Sequence, residues 1–171
     1  VGVLMADASL YLDDYRAAER TFALLTQVIG RAGRAGKAGH AVIQTNNPDN
    51  DVIRLACAQD YETFYSSEIM TRKLMIYPPY CDIATVSFQG VDRNWTEKAA
   101  GEFLSIIKNK ASGQYKDSVK IIVLGPTVAA VPKVNNKYRY KLIIKYKNSE
   151  DFRKMMNAVF DEYTTTEYFK K

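Results

Sequence analysis

Several kinds of residue that would announce a self-sufficient catalyst or a metal centre are scarce in this sequence. There is one histidine, His40, and two cysteines, Cys57 and Cys81. The cysteines lie far apart without metal-ligand spacing, so they read as reduced thiols of a cytoplasmic protein and predict neither a disulfide framework nor a metal site. No serine or cysteine is placed to use His40 as a base, and His40 reads as a loop residue. Acidic pairs such as Asp13-Asp14 read as turn or capping residues rather than ligands. No apolar run approaches the roughly 20 residues of a membrane-spanning helix, which excludes that class. The opening Val1–Met5 lacks the basic lead of a signal peptide and is soon followed by Asp7, Asp13 and Asp14. It starts inside an apolar run, so parts needed for function are expected upstream.

What is present is a globular composition with a lopsided charge. Hydrophobic residues make up 47% and charged residues 25% of 171, which excludes a disordered chain. The net charge is +5, and it comes from one half: residues 1–80 hold 8 Lys and Arg against 9 Asp and Glu, residues 81–171 hold 16 against 10. A positive surface of that kind draws nucleic acid or an acidic protein tail, or serves solubility alone.

The pattern divides the chain in three. In residues 1–48, Val1–Asp7 reads as a short strand and Tyr15–Ile29 as a helix with Phe22, Leu25 and Ile29 inward. Gly30, Gly33, Gly36 and Gly39 are expected to break that helix, and His40–Thr45 to form a second strand. Residues 49–80 read as a helical linker, with helices Asp49–Cys57 and Asp60–Met75 each opened by an aspartate and the second stopped by Tyr77-Pro78-Pro79-Tyr80. Residues 81–171 read as an α+β domain. Its strand Ile83–Gln89 turns Ala84, Val86 and Phe88 to one face, and its helix Trp95–Ala111 is capped by Asn94. A strand Val119–Leu124 closes at Gly125-Pro126, and a hairpin of Thr127–Pro132 and Tyr138–Lys147 turns at Asn135-Asn136. The last helix, Ser149–Tyr163, faces Phe152, Met156, Val159 and Tyr163 inward. The order β-α-β-β-α suggests a split ferredoxin-like sheet with helices on one face.

The richest chemistry lies in the stretch from Gln27 to Gly36. Gly36-Lys37 invites comparison with a phosphate-binding loop, but Arg31 stands where that loop needs its first glycine and Ala38 where it needs Ser or Thr. No Gly-x-Gly pair marks a dinucleotide fingerprint either. The stretch matches Gln-x-x-Gly-Arg-x-Gly-Arg, the sixth motif of superfamily 2 helicases. Gln27, Arg31 and Arg34 are spaced to share one face of a continued helix. Two guanidiniums there can grip a triphosphate whose magnesium and main cradle come from elsewhere, and an arginine against the γ-phosphate stabilises transition-state charge. The plainer reading is a solvated basic helix end suited to the helix dipole.

The flanking residues widen the match. Val1-Gly2-Val3-Leu4, Ala6-Asp7, Asp14–Phe22, Gln44–Pro48, Gln59–Tyr65, Tyr77–Tyr80, Leu124-Gly125-Pro126 and Tyr138-Arg139-Tyr140 closely resemble, in order, the primosomal protein N′ (PriA) family of bacterial replication-restart DNA helicases. The resemblance implies the C-terminal remnant of a RecA-like helicase lobe followed by the α+β domain. It implies ATP and magnesium in the full-length protein and none in this segment. It also implies 3′→5′ movement on DNA, forked or single-stranded DNA as substrate, other primosome proteins as partners, and the acidic tail of single-stranded DNA-binding protein as a further one. Gln27, Gly30, Arg31 and Arg34 inherit the nucleotide-site role, with Arg34 as arginine finger and Arg31 as second phosphate contact. The family's zinc cluster lies upstream, so zinc is not expected here, and Glu167–Lys171 departs from the Asp-Val-Asp-Pro strand in which the family often ends. Without Walker A and B motifs the 171-residue chain is expected to be inactive alone.

A second constellation is the strand Tyr138–Lys147. Tyr138, Tyr140, Leu142, Ile144 and Tyr146 share one face, and Arg139, Lys141, Lys145 and Lys147 the other, broken by Ile143. With Arg153 these basic residues are candidates for DNA phosphates or for the acidic tail; the plain alternative is lysines blunting a sheet edge. Two further expectations follow: self-association through exposed sheet edge, and, as an alternative function, a non-enzymatic basic module whose Gly-Arg loop binds nucleic acid directly.

Overall fold

The computed structural model describes residues 1–32 and 39–169. The chain forms two units, Val1–Met75 and the part from Ile76 onward. The first contains β1 (Gly2–Val3), a 3-10 turn (Ala8–Tyr11), α1 (Ala17–Ala32), β2 (Val42–Ile43), α2 (Asp51–Ala58) and α3 (Tyr61–Leu74). The second contains β3 (Asp82–Gly90), α4 (Arg93–Ser112), β4 (Ile121–Val134), β5 (Lys137–Tyr146) and α5 (Glu150–Thr164).

In the first unit β1 and β2 run parallel, Gly2 opposite Val42 and Val3 opposite Ile43. Parallel neighbours need a long crossover, and α1 lies in it. The strands are shorter than the alternation predicts, although the Ala6 amide still donates to the Gln44 carbonyl at 2.9 Å. On α1 the residues Ala17, Thr21, Phe22 and Leu25 are buried, a stripe at helical spacing. Phe22 and Leu25 meet Ile53, Ala56 and Phe64 in one core, where the rings of Phe22 and Phe64 stack at 4.1 Å.

Two expectations change here. Gly30 does not break the helix, which runs on to Ala32; one glycine inside a helix costs about 1 kcal/mol relative to alanine and does not end it. The stretch 49–80 is not a separate linker in packing terms, since α2 and α3 share the α1 core and the first unit extends to Met75. The cap of α2 is Asn50 rather than Asp49, its Oδ1 accepting from the Val52 amide at 3.0 Å. Asp60 caps α3 as expected, accepting from the Thr63 amide at 3.1 Å.

The second unit is a mixed α/β domain with a three-stranded antiparallel sheet, ordered β3-β5-β4. Its helix-covered face carries Phe88, Tyr140, Leu142 and Ile144, which pack with Phe103, Ile107, Met155 and Val159. Met155, wholly buried, takes the place expected for its neighbour Met156, which is half-buried. The cap of α4 is Asp92, two residues before the expected Asn94; its carboxylate accepts from the Trp95 amide at 2.7 Å. Asn135 and Asn136 both adopt positive φ, 48° and 65°, the geometry of a two-residue primed turn. Gly125-Pro126 does not close a strand: β4 runs through it with register shifts between Leu124 and Thr127 and between Val128 and Lys133. Proline without an N–H is tolerated because β4 is an edge. Gly125 has φ 103°, and a Cβ there would meet the Lys141 carbonyl oxygen at 2.8 Å, so the bulge needs glycine. Among the described residues no helix is long and apolar enough to cross a membrane.

Candidate nucleotide and nucleic-acid interfaces

Because one face of α1 carries the core, the opposite face is set by the same period. Arg20, Leu24, Gln27 and Arg31 fall on it, and all four are exposed. Arg31 sits in the last turn, its guanidinium without an ion-pair partner among the described residues. Beside it, among the described residues, the nearest group a Cβ on Gly30 would meet outside the helix is the Gln59 amide, at 4.0 Å. Packing among the described residues therefore does not demand glycine at position 30, and toward them the backbone is open to close approach. Gln27, Gly30 and Arg31 are thus brought together on one solvent-facing surface; Arg34 lies outside the described residues.

The start of this helix is tied down by charge. The Asp14 carboxylate meets Arg20 at 2.6 Å and accepts from the Arg16 amide at 2.9 Å. That amide bond, opposed by burial and aided by the charges of Arg20 and Arg16, holds the Asp14 carboxyl below its usual range. On α3, Arg72 reaches back to α1: Nη2 lies 2.7 Å from Glu19 and Nε 2.8 Å from Glu68, with the guanidinium 5.3 Å over the Tyr15 ring. The only local sequence signal of this hub is the i,i+4 spacing of Glu68 and Arg72.

The basic strand β5 is the central one of its sheet, so the reading of its lysines as guards of an edge does not hold. Its tyrosines are structural. Tyr140 is buried, accepting from Arg93 Nε at 3.3 Å and donating to Glu97 at 3.0 Å. Tyr146 stacks on Phe152 at 3.8 Å.

The basic residues do not form one patch. Arg139 and Lys141 are half-buried on the open face, opposite Gln89 and Ser87 of β3. Lys145 is only 7% exposed, its ammonium 3.8 Å over the Tyr77 ring, and so does not face solvent as a phosphate contact would. Lys147 is exposed at the far end of the strand, roughly 27 Å of extended chain from Arg139. Arg153 belongs to α5 and donates to Asn148 Oδ1 at 2.7 Å. A residue not singled out from sequence joins Lys147. The pairing of Ile121 with Tyr146 brings Lys120 alongside, and a cleft of about 200 Å³ there is lined by Lys120, Lys145 and Lys147 with Ile76, Tyr80 and Ile122. Cys81 borders it, but burial pushes its thiol pKa up against the Lys145 charge, which does not suit a nucleophile. Among the described residues no group of three or more His, Cys, Asp or Glu could hold a metal ion.

Residues 73–166 match the family model described as primosomal protein N C-terminal domain. The chain belongs to the primosomal protein N family. It is 37% identical over 163 residues to the replication restart protein PriA of Bacillus subtilis, covering 95% of this chain and 20% of that protein. It is 36% identical over 146 residues to the PriA of Chlamydia trachomatis, covering 85% and 19%, and 30% identical over 166 residues to that of Borreliella burgdorferi, covering 97% and 24%. The chain thus spans about a fifth of the length of these primosomal protein N relatives, and the similarity reaches through the first unit as well as the second.

Proposed function

We propose that this chain is the C-terminal part of a bacterial ATP-dependent 3′→5′ DNA helicase acting in primosome assembly and replication restart, with α1 as one wall of its nucleotide site. The observation that carries the reading is the exposed Gln27-Gly30-Arg31 face, open above Gly30, in a chain alignable nearly end to end with replication restart proteins. A guanidinium with no ion-pair partner among the described residues, on an exposed helix face, fits one side of a triphosphate. ATP with magnesium, held chiefly by the rest of the enzyme, would supply the phosphoryl group; Arg31, and Arg34 as arginine finger, would stabilise its charge. The RecA-like identity of the first unit belongs to the same reading.

The second unit then holds DNA or protein partners. Arg139 and Lys141 offer phosphate contacts on the open sheet face, and Lys147, Lys120 and Arg153 a second basic end for forked or single-stranded DNA, for the acidic tail of single-stranded DNA-binding protein, or for other primosome proteins. The working place of such a protein is the cytoplasm, at the nucleoid.

The test compares Arg31→Ala and Arg34→Ala in the enzyme that carries this segment. Each is expected to lower DNA-stimulated ATP hydrolysis by about 10³-fold or more while leaving DNA affinity intact. The 171-residue chain alone is expected to hydrolyse no ATP. Unchanged turnover with weakened nucleic-acid binding would instead support a non-enzymatic binding module.

A further inference from the structure

Helix α2 ends in a geometry that favours glycine, and a glutamine stands there. The Gln59 amide donates to the Ala56 carbonyl at 3.1 Å and the Asp60 amide to the Leu55 carbonyl at 2.9 Å, the paired bonds that close a helix through a left-handed residue. That residue is Gln59, at φ 54° and ψ 30°. A residue with a Cβ is strained in this conformation, and glycine is its ordinary occupant. The Gln59 side chain is exposed, so burial does not offset the strain. Strained residues gather where a ligand is held.

The carboxamide of Gln59 reaches the helix that bears the candidate nucleotide residues. Among the described residues it is the group outside α1 nearest to where a Cβ on Gly30 would stand, at 4.0 Å. Gln27 and Arg31, three residues before Gly30 and one after it, are exposed on the same face. A polyanion laid along Gly30 and gripped by Arg31 therefore passes within reach of an amide that can donate N–H bonds. The neighbouring carboxylate, which would repel such a ligand, is engaged at the start of α3: Asp60 accepts there from the Thr63 amide at 3.1 Å.

We infer that Gln59 is a further binding residue of the nucleotide site on α1, its side-chain amide donating to a phosphate oxygen of the triphosphate that Arg31 grips. The inference rests on the reading of α1 as one wall of that site. The left-handed cap suits Gln59 to this role, because it fixes the direction in which the side chain leaves the backbone and so places the donor in advance. The chemistry also carries a sign. Glutamate has the same shape but, ionised, only accepts hydrogen bonds, and it is negative. Against a phosphate it turns attraction into repulsion, whereas a ribose hydroxyl would still donate to it.

The equilibrium affinity for a non-hydrolysable ATP analogue with magnesium, measured on the enzyme that carries this segment, tests the inference; thermal melting of the 171-residue chain is the companion readout. Gln59→Ala should weaken the affinity about tenfold, the loss of one hydrogen bond to a charged group. Gln59→Glu should weaken it further, by roughly a hundredfold, because like charges then meet. Gln59→Gly separates side chain from backbone. It should lose affinity as the alanine variant does, yet raise the melting temperature by about 2–4 °C, because glycine relieves the left-handed cap. Affinity retained in the alanine and glutamate variants while Arg31→Ala weakens it would overturn the role of Gln59 and leave the site reading standing; retention in all three would remove the site as well. Full affinity in the glycine variant would show that the carboxamide is not needed, and a glutamate variant no weaker than alanine would exclude a phosphate partner. Either result overturns the proposal.

Discussion

Arg72 joins α3 to the helix that bears the candidate nucleotide-site residues, and replacing it by methionine should loosen that attachment by a calculable amount. Methionine keeps much of the stem packing and removes the charge. The Glu68 contact, at 2.8 Å between side chains 14% and 17% exposed, is a partly desolvated charged hydrogen bond, a class that contributes about 1.5–3 kcal/mol. The Glu19 contact is shorter, 2.7 Å, but Glu19 is 51% exposed and screened, so it contributes at most about 1 kcal/mol. The loss should be about 2–3 kcal/mol, roughly a hundredfold faster exchange of α3 amides where they open locally. Double-mutant cycles apportion it: the coupling of Arg72 with Glu68 should exceed that with Glu19. The reasoning is refuted if the Glu19 coupling is the larger, or if Arg72→Met leaves α3 exchange unchanged.

Three further outcomes follow. Phe22→Ala removes the ring stacked on Phe64 at 4.1 Å and should cost about 3–5 kcal/mol, unfolding the first unit while the fluorescence of Trp95, in the second, keeps its native spectrum. Asp14→Asn should destabilise the start of α1 near neutral pH and have no effect in strong acid: the folded-state pKa of Asp14 is depressed, so its contribution is complete above the unfolded value and disappears as pH falls through the lowered one, which acid titration of α1 helicity reads. Lys147→Gln and Lys120→Gln should each flatten the salt dependence of DNA binding by about one ion's worth, whereas Lys145→Gln, which removes an ammonium buried over Tyr77, should lower the melting temperature and leave the salt slope alone.

What could be read in the sequence was whatever depends on a short period. The inward Phe22 and Leu25 of α1, the alternation of Ala84, Val86 and Phe88, and the Asn135-Asn136 turn all lie where they were expected, because each is decided by neighbours within a few residues. The errors share the opposite property. Whether Asp92 or Asn94 caps α4 depends on which residue holds extended backbone geometry, and Asp92 does, at ψ 126°. That β4 passes through Gly125-Pro126 instead of stopping there is decided by the partner strand, whose Lys141 carbonyl occupies the space a side chain would need. The basic face of β5 shows the same limit with more consequence. Alternation placed Arg139, Lys141, Lys145 and Lys147 on one side, but alternation does not know that Tyr77, 68 residues earlier, lies over Lys145, or that register brings Lys120 beside Lys147. A strand pattern therefore specifies the face on which a charge emerges, and long-range packing then decides whether that charge is free to meet a ligand.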